Sequence, residues 1–95
     1  MRQAAKVDAN QPDVVSALRK IGAKVYVASS FGKGFPDLIV GFRGAFYLLE
    51  VKDGSKPPSA RKLTPEQQEF HAEWAGYPVH VVESAEQAIA VVTGT

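Results

Sequence analysis

Two carboxylates and a lysine stand inside strands that are otherwise apolar. Asp37 follows Pro36, and Glu50 and Lys52 flank Val51, all within the run PDLIVGFRGAFYLLEVK. A carboxylate taken out of water costs free energy unless a cation or hydrogen bonds compensate it. Asp37 and Glu50 so placed ask for a metal ion, and all-oxygen ligands favour Mg2+ or Mn2+ over Zn2+. A bound divalent ion lowers the pKa of its water. A lysine alongside, here Lys52, can orient that water or stabilise charge developing on a phosphate. The Val51 backbone carbonyl is the obvious further ligand. Such a set suits hydrolysis of a phosphodiester. The competing reading is structural: Asp37, Glu50 and Lys52 as a salt-bridged cluster at a sheet edge.

The turn between the two strands decides whether these groups meet. If Arg43-Gly44 is a two-residue hairpin loop, then 42 faces 45, 41 faces 46, and so on to 37 facing 50. Directly opposed residues share a face, with Cβ atoms roughly 4.5–5.5 Å apart. Lys52, two residues beyond Glu50, joins that face. If Gly44 marks a bulge instead, the register shifts by one and the contact becomes diagonal.

The elements that must hold this hairpin follow from pattern. Asn10-Gln11-Pro12 reads as a capped helix start. Val14, Ala17, Leu18 and Ile21 keep helical spacing, and Gly22 ends the helix. Residues 23–28 read as a strand, and 29–35 as a loop containing Gly32 and Gly34. Residues 36–41 and 45–52 form the hairpin, and 53–63 a polar loop. Thr64-Pro65-Glu66-Gln67 is a capping box opening a helix that carries Phe70 and Trp74 and stops at Gly76. Residues 78–82 read as a short strand, and Ser84 through Gln87 as a second capping box before a last helix. The order is α-β-β-β-α-β-α, an α/β fold in one domain over 1–95. Both faces of the hairpin are apolar, so helices should cover both sides of the sheet.

Composition narrows the class. At 95 residues, 45% of them apolar and 22% charged, the chain suits one globular domain with a modest core. Charges and glycines interrupt every apolar run, so no membrane span is expected, and the N-terminus lacks the apolar stretch of a secretory signal. No cysteine is present, which excludes disulfides and thiolate metal sites and fits an intracellular protein. The net charge is only +1, so a nucleic-acid partner must be argued from local clusters.

With these residues in view, the hairpin resembles the PD-(D/E)xK nuclease motif, as Pro36-Asp37 and Glu50-Val51-Lys52. Over roughly residues 10–92 the chain looks most like a stand-alone VRR-NUC domain. Gly34-Phe35-Pro36-Asp37-Leu38, Leu49-Glu50-Val51-Lys52 and Leu63-Thr64-Pro65-Glu66-Gln67 carry that resemblance. It implies a restriction-endonuclease-like core with a mixed sheet flanked by helices. It implies a Mg2+- or Mn2+-dependent endonuclease acting on DNA, selective for structures such as four-way junctions, in a homodimer. A phage or mobile-element source would go with it. Asp37, Glu50 and the Val51 carbonyl would hold the metal, Lys52 would position the water, and Gln67 would match the glutamine that accompanies such sites. A first-helix acid also belongs to the pattern, and Asp13 is the matching position. It is shorter than the usual glutamate, so a water-mediated contact or a plain helix N-terminal charge stays open.

Other residues weigh less. Gln67 is also the capping-box partner of Thr64. Gly32-Lys33-Gly34 lacks the rest of a P-loop; Lys33 reads better as a DNA-phosphate contact on a loop beside the site. Lys56, Arg61 and Lys62 could grip a nucleic-acid backbone or belong to a solvated loop. His71 and His80 match no zinc spacing. Phe31, Phe35, Trp74 and Tyr77 are candidates for the dimer interface. The alternative function is a nucleic-acid-binding module that keeps the fold without catalysis.

Overall fold

The computed structural model describes residues 7–95; the first six residues of the domain expected over 1–95 lie outside that range. The elements are α1 (Gln11–Lys20), β1 (Lys24–Val27), β2 (Leu38–Phe42), β3 (Ala45–Val51), α2 (Pro65–Glu73), β4 (Val79–Val82) and α3 (Ala85–Thr93), with one 3-10 turn at Pro58–Ala60. They form a four-stranded sheet in the order β1-β2-β3-β4. β1, β2 and β3 are antiparallel neighbours. β4 runs parallel to β3, and a parallel neighbour requires a crossover, which α2 supplies. The fold is α/β with a mixed sheet flanked by helices.

The hairpin turn is the two-residue form. β2 and β3 pair from Phe42↔Ala45 through to Leu38↔Leu49. Arg43 and Gly44 both take positive φ, 51° and 82°, the signature of a type I′ turn whose twist suits a hairpin. There is no bulge. A residue other than glycine pays some strain at that φ, and the Arg43 guanidinium lies 4.8 Å over the Phe42 ring, which helps fix it.

One face of the sheet holds the core. Leu38, Val40, Leu49, Val51 and Val82 are fully buried there with Val14, Leu18 and Ala88 from α1 and α3. Each such side chain contributes about 1.5–3 kcal/mol by leaving water. The other face carries residues 46, 48 and 50 of β3, with Lys52 just beyond its end, and α2 crosses it. Coverage there is uneven: Phe46 is 74% exposed and Tyr26 60%. Helices on both faces are therefore present, but α2 buries none of its own residues. What it contributes instead is a run of rings. Phe35 meets Phe70 edge-on at 5.4 Å, Phe70 stacks on Trp74 at 5.4 Å, and Trp74 meets Tyr77 at 5.5 Å.

Two helix starts differ from expectation. Asn10 makes no side-chain cap. Its amide reaches across the fold, donating to the carbonyls of Lys52 and Glu83 at 3.0 and 3.2 Å, so long-range stapling wins over local capping. Ser84 accepts from the Gln87 N–H, but the Gln87 side chain bonds to the Glu83 N–H and not to Ser84. The Thr64–Gln67 capping box is complete.

Gly34 sets the distance between the loop before β2 and the start of α2. Its φ is 78°, and a Cβ there would lie inside the Glu66 carbonyl. Gly32 has the same φ but open space around it. Gly34→Ala should therefore cost more stability than Gly32→Ala, about 2 kcal/mol or more against about 1. Thermal melts of the two variants check the order; equal losses would mean that the close approach does not constrain the loop.

Candidate metal centre and active site

β2 starts two residues later than the pattern predicts, and the reason lies in the site. Pro36 has no N–H to pair, and Asp37 turns its side chain to the neighbouring strand. Asp37 Oδ2 accepts the Val51 N–H at 2.8 Å, replacing a ladder bond. In a strand, the N–H and C=O of one residue point the same way. The Val51 carbonyl thus also faces the β2 side, where Pro36 stands opposite and offers no donor. Asp37 Oδ1 accepts from the Ser29 hydroxyl at 3.4 Å.

Continuing the observed register places Glu50 across from Asp37. Glu50 is 1% exposed and Lys52 8%. Gln67 joins them from the first turn of α2. Its Oε1 accepts from both Lys52 Nζ and the Thr64 N–H at 2.9 Å. Two donors on the oxygen fix the amide's orientation, so Nε2 must point the other way, and it donates to Glu50 Oε2 at 3.0 Å. Gln67 is therefore both the cap of α2 and the link between Glu50 and Lys52.

Lys52 pairs with neither carboxylate. Among the described residues the ion pairs within 4.0 Å are Lys56–Asp8 and Arg61–Glu83. The salt-bridged-cluster reading therefore fails: the ammonium that should neutralise the acids is held by a neutral amide. As a carboxylate, Glu50 leaves Oε1 buried with no partner, a deficit of about 1–3 kcal/mol. Protonated, it can donate to Asp37. Burial first, then that hydrogen bond and the Asp37 charge, push the Glu50 carboxyl from an ordinary 4.5 up to about 9, against the pull of Lys52. The charge of Asp8 adds a further push upward. A proton or a cation must sit between these two acids. The donors available are hard oxygens, so Mg2+ or Mn2+ fits and a soft metal does not.

The first-helix acid is not where the pattern puts it. Asp13 is exposed and hydrogen-bonds to none of the site's side chains. Residues 11, 14, 15 and 18 form the buried stripe of α1, and at 100° per residue position 13 falls on the opposite side. The α1 residue that reaches the site is Gln11, 4% exposed, donating through Nε2 to Ser29 Oγ at 3.0 Å. Gln11, Ser29 and Asn10 are site neighbours that sequence reasoning missed. A polar residue on the apolar stripe of α1 was the available signal for Gln11.

The four expected DNA-contacting cations divide. Arg61 is held by both oxygens of Glu83 at 3.1 Å and by the Lys56 carbonyl. Lys56 lies 3.8 Å from Asp8. Lys33 and Lys62 are exposed, and neither has an ion-pair partner among the described residues. His71, one turn beyond Gln67, is half-buried with Nε2 unpartnered. Burial, then Lys52, holds its pKa below the ordinary value. His80 is exposed.

Fold and site together define a compact α/β domain of the nuclease type, with two opposed carboxylates and a lysine at one end of a mixed sheet. A solved structure described as a "VRR_NUC domain" is similar to the chain, with 30% sequence identity and a TM-score of 0.64 over 87% of this chain and 89% of that one. The chain belongs to the VRR-NUC domain family. No family model matches the sequence, and no curated protein matches it.

The Glu50 shift gives a pH signature. Between its unfolded and folded pKa values the folded protein holds a proton that the unfolded chain releases, so this group lowers stability as pH rises from about 5 to about 9. Glu50→Gln should flatten that loss and melt higher than wild type at about pH 8.5 in chelator. His71 contributes with opposite sign in both proteins, so their difference isolates Glu50. Parallel melting curves across the range would show that Glu50 is not the titrating group.

Proposed function

We propose that this domain is a metal-dependent endonuclease that hydrolyses DNA phosphodiester bonds and selects branched DNA such as four-way junctions. The observation that supports this most is the Asp37–Glu50 pair, opposed across the hairpin with Glu50 buried and Asp37 half-buried. Among the described residues no cationic side chain pairs with either carboxylate, while Lys52 stands beside them, held by Gln67. Asp37, Glu50 and the Val51 carbonyl would hold Mg2+ or Mn2+. The ion would supply an activated water and charge stabilisation at the phosphate.

The remaining work falls to the chain. Gln67 holds the Lys52 ammonium in place without neutralising it, leaving two of its three protons to donate. One can orient the attacking water and another can meet a phosphoryl oxygen as charge builds on it. Burial strengthens both interactions, because little solvent screens them. Lys33 and Lys62 would contact the DNA backbone on either side. Lys56 and Arg61, engaged with Asp8 and Glu83, would shape the loop that presents Lys62.

Junction selectivity goes with a homodimer, since two sites must act on one branched substrate. The half-covered sheet face and the rings of Phe31, Trp74 and Tyr77 beside it offer apolar surface for a second copy. Phe35 packs between Phe31 and Phe70 and would support that surface from below. Sedimentation at micromolar concentration should give twice the monomer mass; a monomer would remove the dimer from this reading.

No helix among the described residues is long and apolar enough to cross a membrane. An intracellular site of action follows from a DNA substrate and belongs to the same proposal.

Cleavage assays on junctions, flaps and duplexes with Mg2+ or Mn2+ test the function. Asp37→Ala should abolish cutting, and Lys52→Ala should slow it on the order of a hundredfold or more. Both variants should keep the wild-type circular dichroism. Undiminished cleavage by Asp37→Ala would refute the assigned site. Tight DNA binding without cleavage in either metal would favour a non-catalytic DNA-binding module.

A further inference from the structure

We propose that Gln11 is a neutral oxygen ligand of the metal held by Asp37 and Glu50, taking the place of a third carboxylate. The inference rests on reading that pair as a metal site. It starts from three side chains in series. The Ser29 hydroxyl has one proton, and it goes to Asp37 Oδ1. Ser29 must then receive its other hydrogen bond, so Gln11 has to present its NH2 group, as it does at 3.0 Å. The negative charge of Asp37 therefore fixes the Gln11 amide through Ser29. Oε1 is left as the free end, buried and without a partner.

A purely structural role does not account for that oxygen. Gln11 sits on the apolar stripe of α1, where its NH2 group serves Ser29 and its buried oxygen meets no partner in the protein. The residue is 4% exposed, so bulk water does not compensate Oε1. Glu50 Oε1 is unpartnered in the same way. Gln11 connects to Asp37 through Ser29, and Glu50 stands across the hairpin from Asp37. A divalent ion prefers about six oxygen ligands. Among the described residues no group of three or more His, Cys, Asp or Glu side chains gathers to provide them. Neutral oxygens must fill the shell. Asp13 is exposed, and Asp8 lies against Lys56.

The consequence is a site with two negative charges from its side chains, and metal affinity grows with the number of charged ligands. Adding a charge at position 11 should tighten binding; removing the oxygen should weaken it.

Calorimetric titration of the DNA-free protein with MnCl2 tests this without reference to activity. Gln11→Glu is nearly isosteric and should bind Mn2+ about tenfold more tightly than wild type. Gln11→Leu should bind several-fold more weakly. Where Gln11→Leu does not fold, Gln11→Glu alone decides. Affinity of Gln11→Glu at or below wild type overturns the proposal, whether through lost bonding to Ser29 or through no contact with the ion. Asp37→Asn separates the levels. If it abolishes Mn2+ binding while both Gln11 variants bind like wild type, Gln11 is no ligand and the metal site stands. If wild type itself binds no Mn2+, both readings fall.

Discussion

Glu50 and Asp37 face each other across two strands in a space where Glu50 is out of reach of solvent and Asp37 is half-buried. Two negative charges cannot share it, and Lys52 does not come between them. The protein resolves the conflict by keeping a proton on Glu50, at a stability cost that grows with pH. Much of the local structure serves to hold this conflict in place. The type I′ turn at Arg43-Gly44 sets the register. Pro36 interrupts the ladder and turns Asp37 towards Val51. Gly34 lets the loop press against α2, and Gln67 at the head of α2 holds Glu50 and Lys52 at a fixed spacing. Removing the tension would stabilise the fold and leave it with no reason to bind an ion.

The two faces of the sheet divide the labour. The face under α1 and α3 is packed with aliphatic side chains and supplies most of the stability. The other face is loosely covered and carries the charged groups. α1 links the two, since its apolar stripe packs into the core while its first turn reaches the site through Gln11 and Asn10. Anything that shifts α1 on the core would therefore move oxygens near the carboxylates.

Much of this was legible in the sequence, for identifiable reasons. Arg43-Gly44 between two apolar runs points to a two-residue turn or a bulge, and the two-residue form fixes which residues oppose. The Thr64–Gln67 box was legible because capping is local. Misreadings came where distant groups compete for the same side chain. Asn10 looks like a cap, yet two carbonyls more than forty residues away claim its amide. Arg61 looks like a free cation on a polar loop, but Glu83 folds back to meet it. Asp13 matches a motif by chemistry and misses it by helical phase. Gln11 has the phase, and its amide reaches Asp37 through Ser29, a link between residues far apart in sequence.

The account depends on a cation taking the place of the Glu50 proton. A crystal of the protein soaked in MnCl2 tests this most directly, through the anomalous signal of manganese. The account predicts one peak between the Asp37 carboxylate and Glu50 Oε1, at metal–oxygen bonding distance from both. A map with no peak there, or with manganese bound only at surface acids such as Asp13, would contradict it.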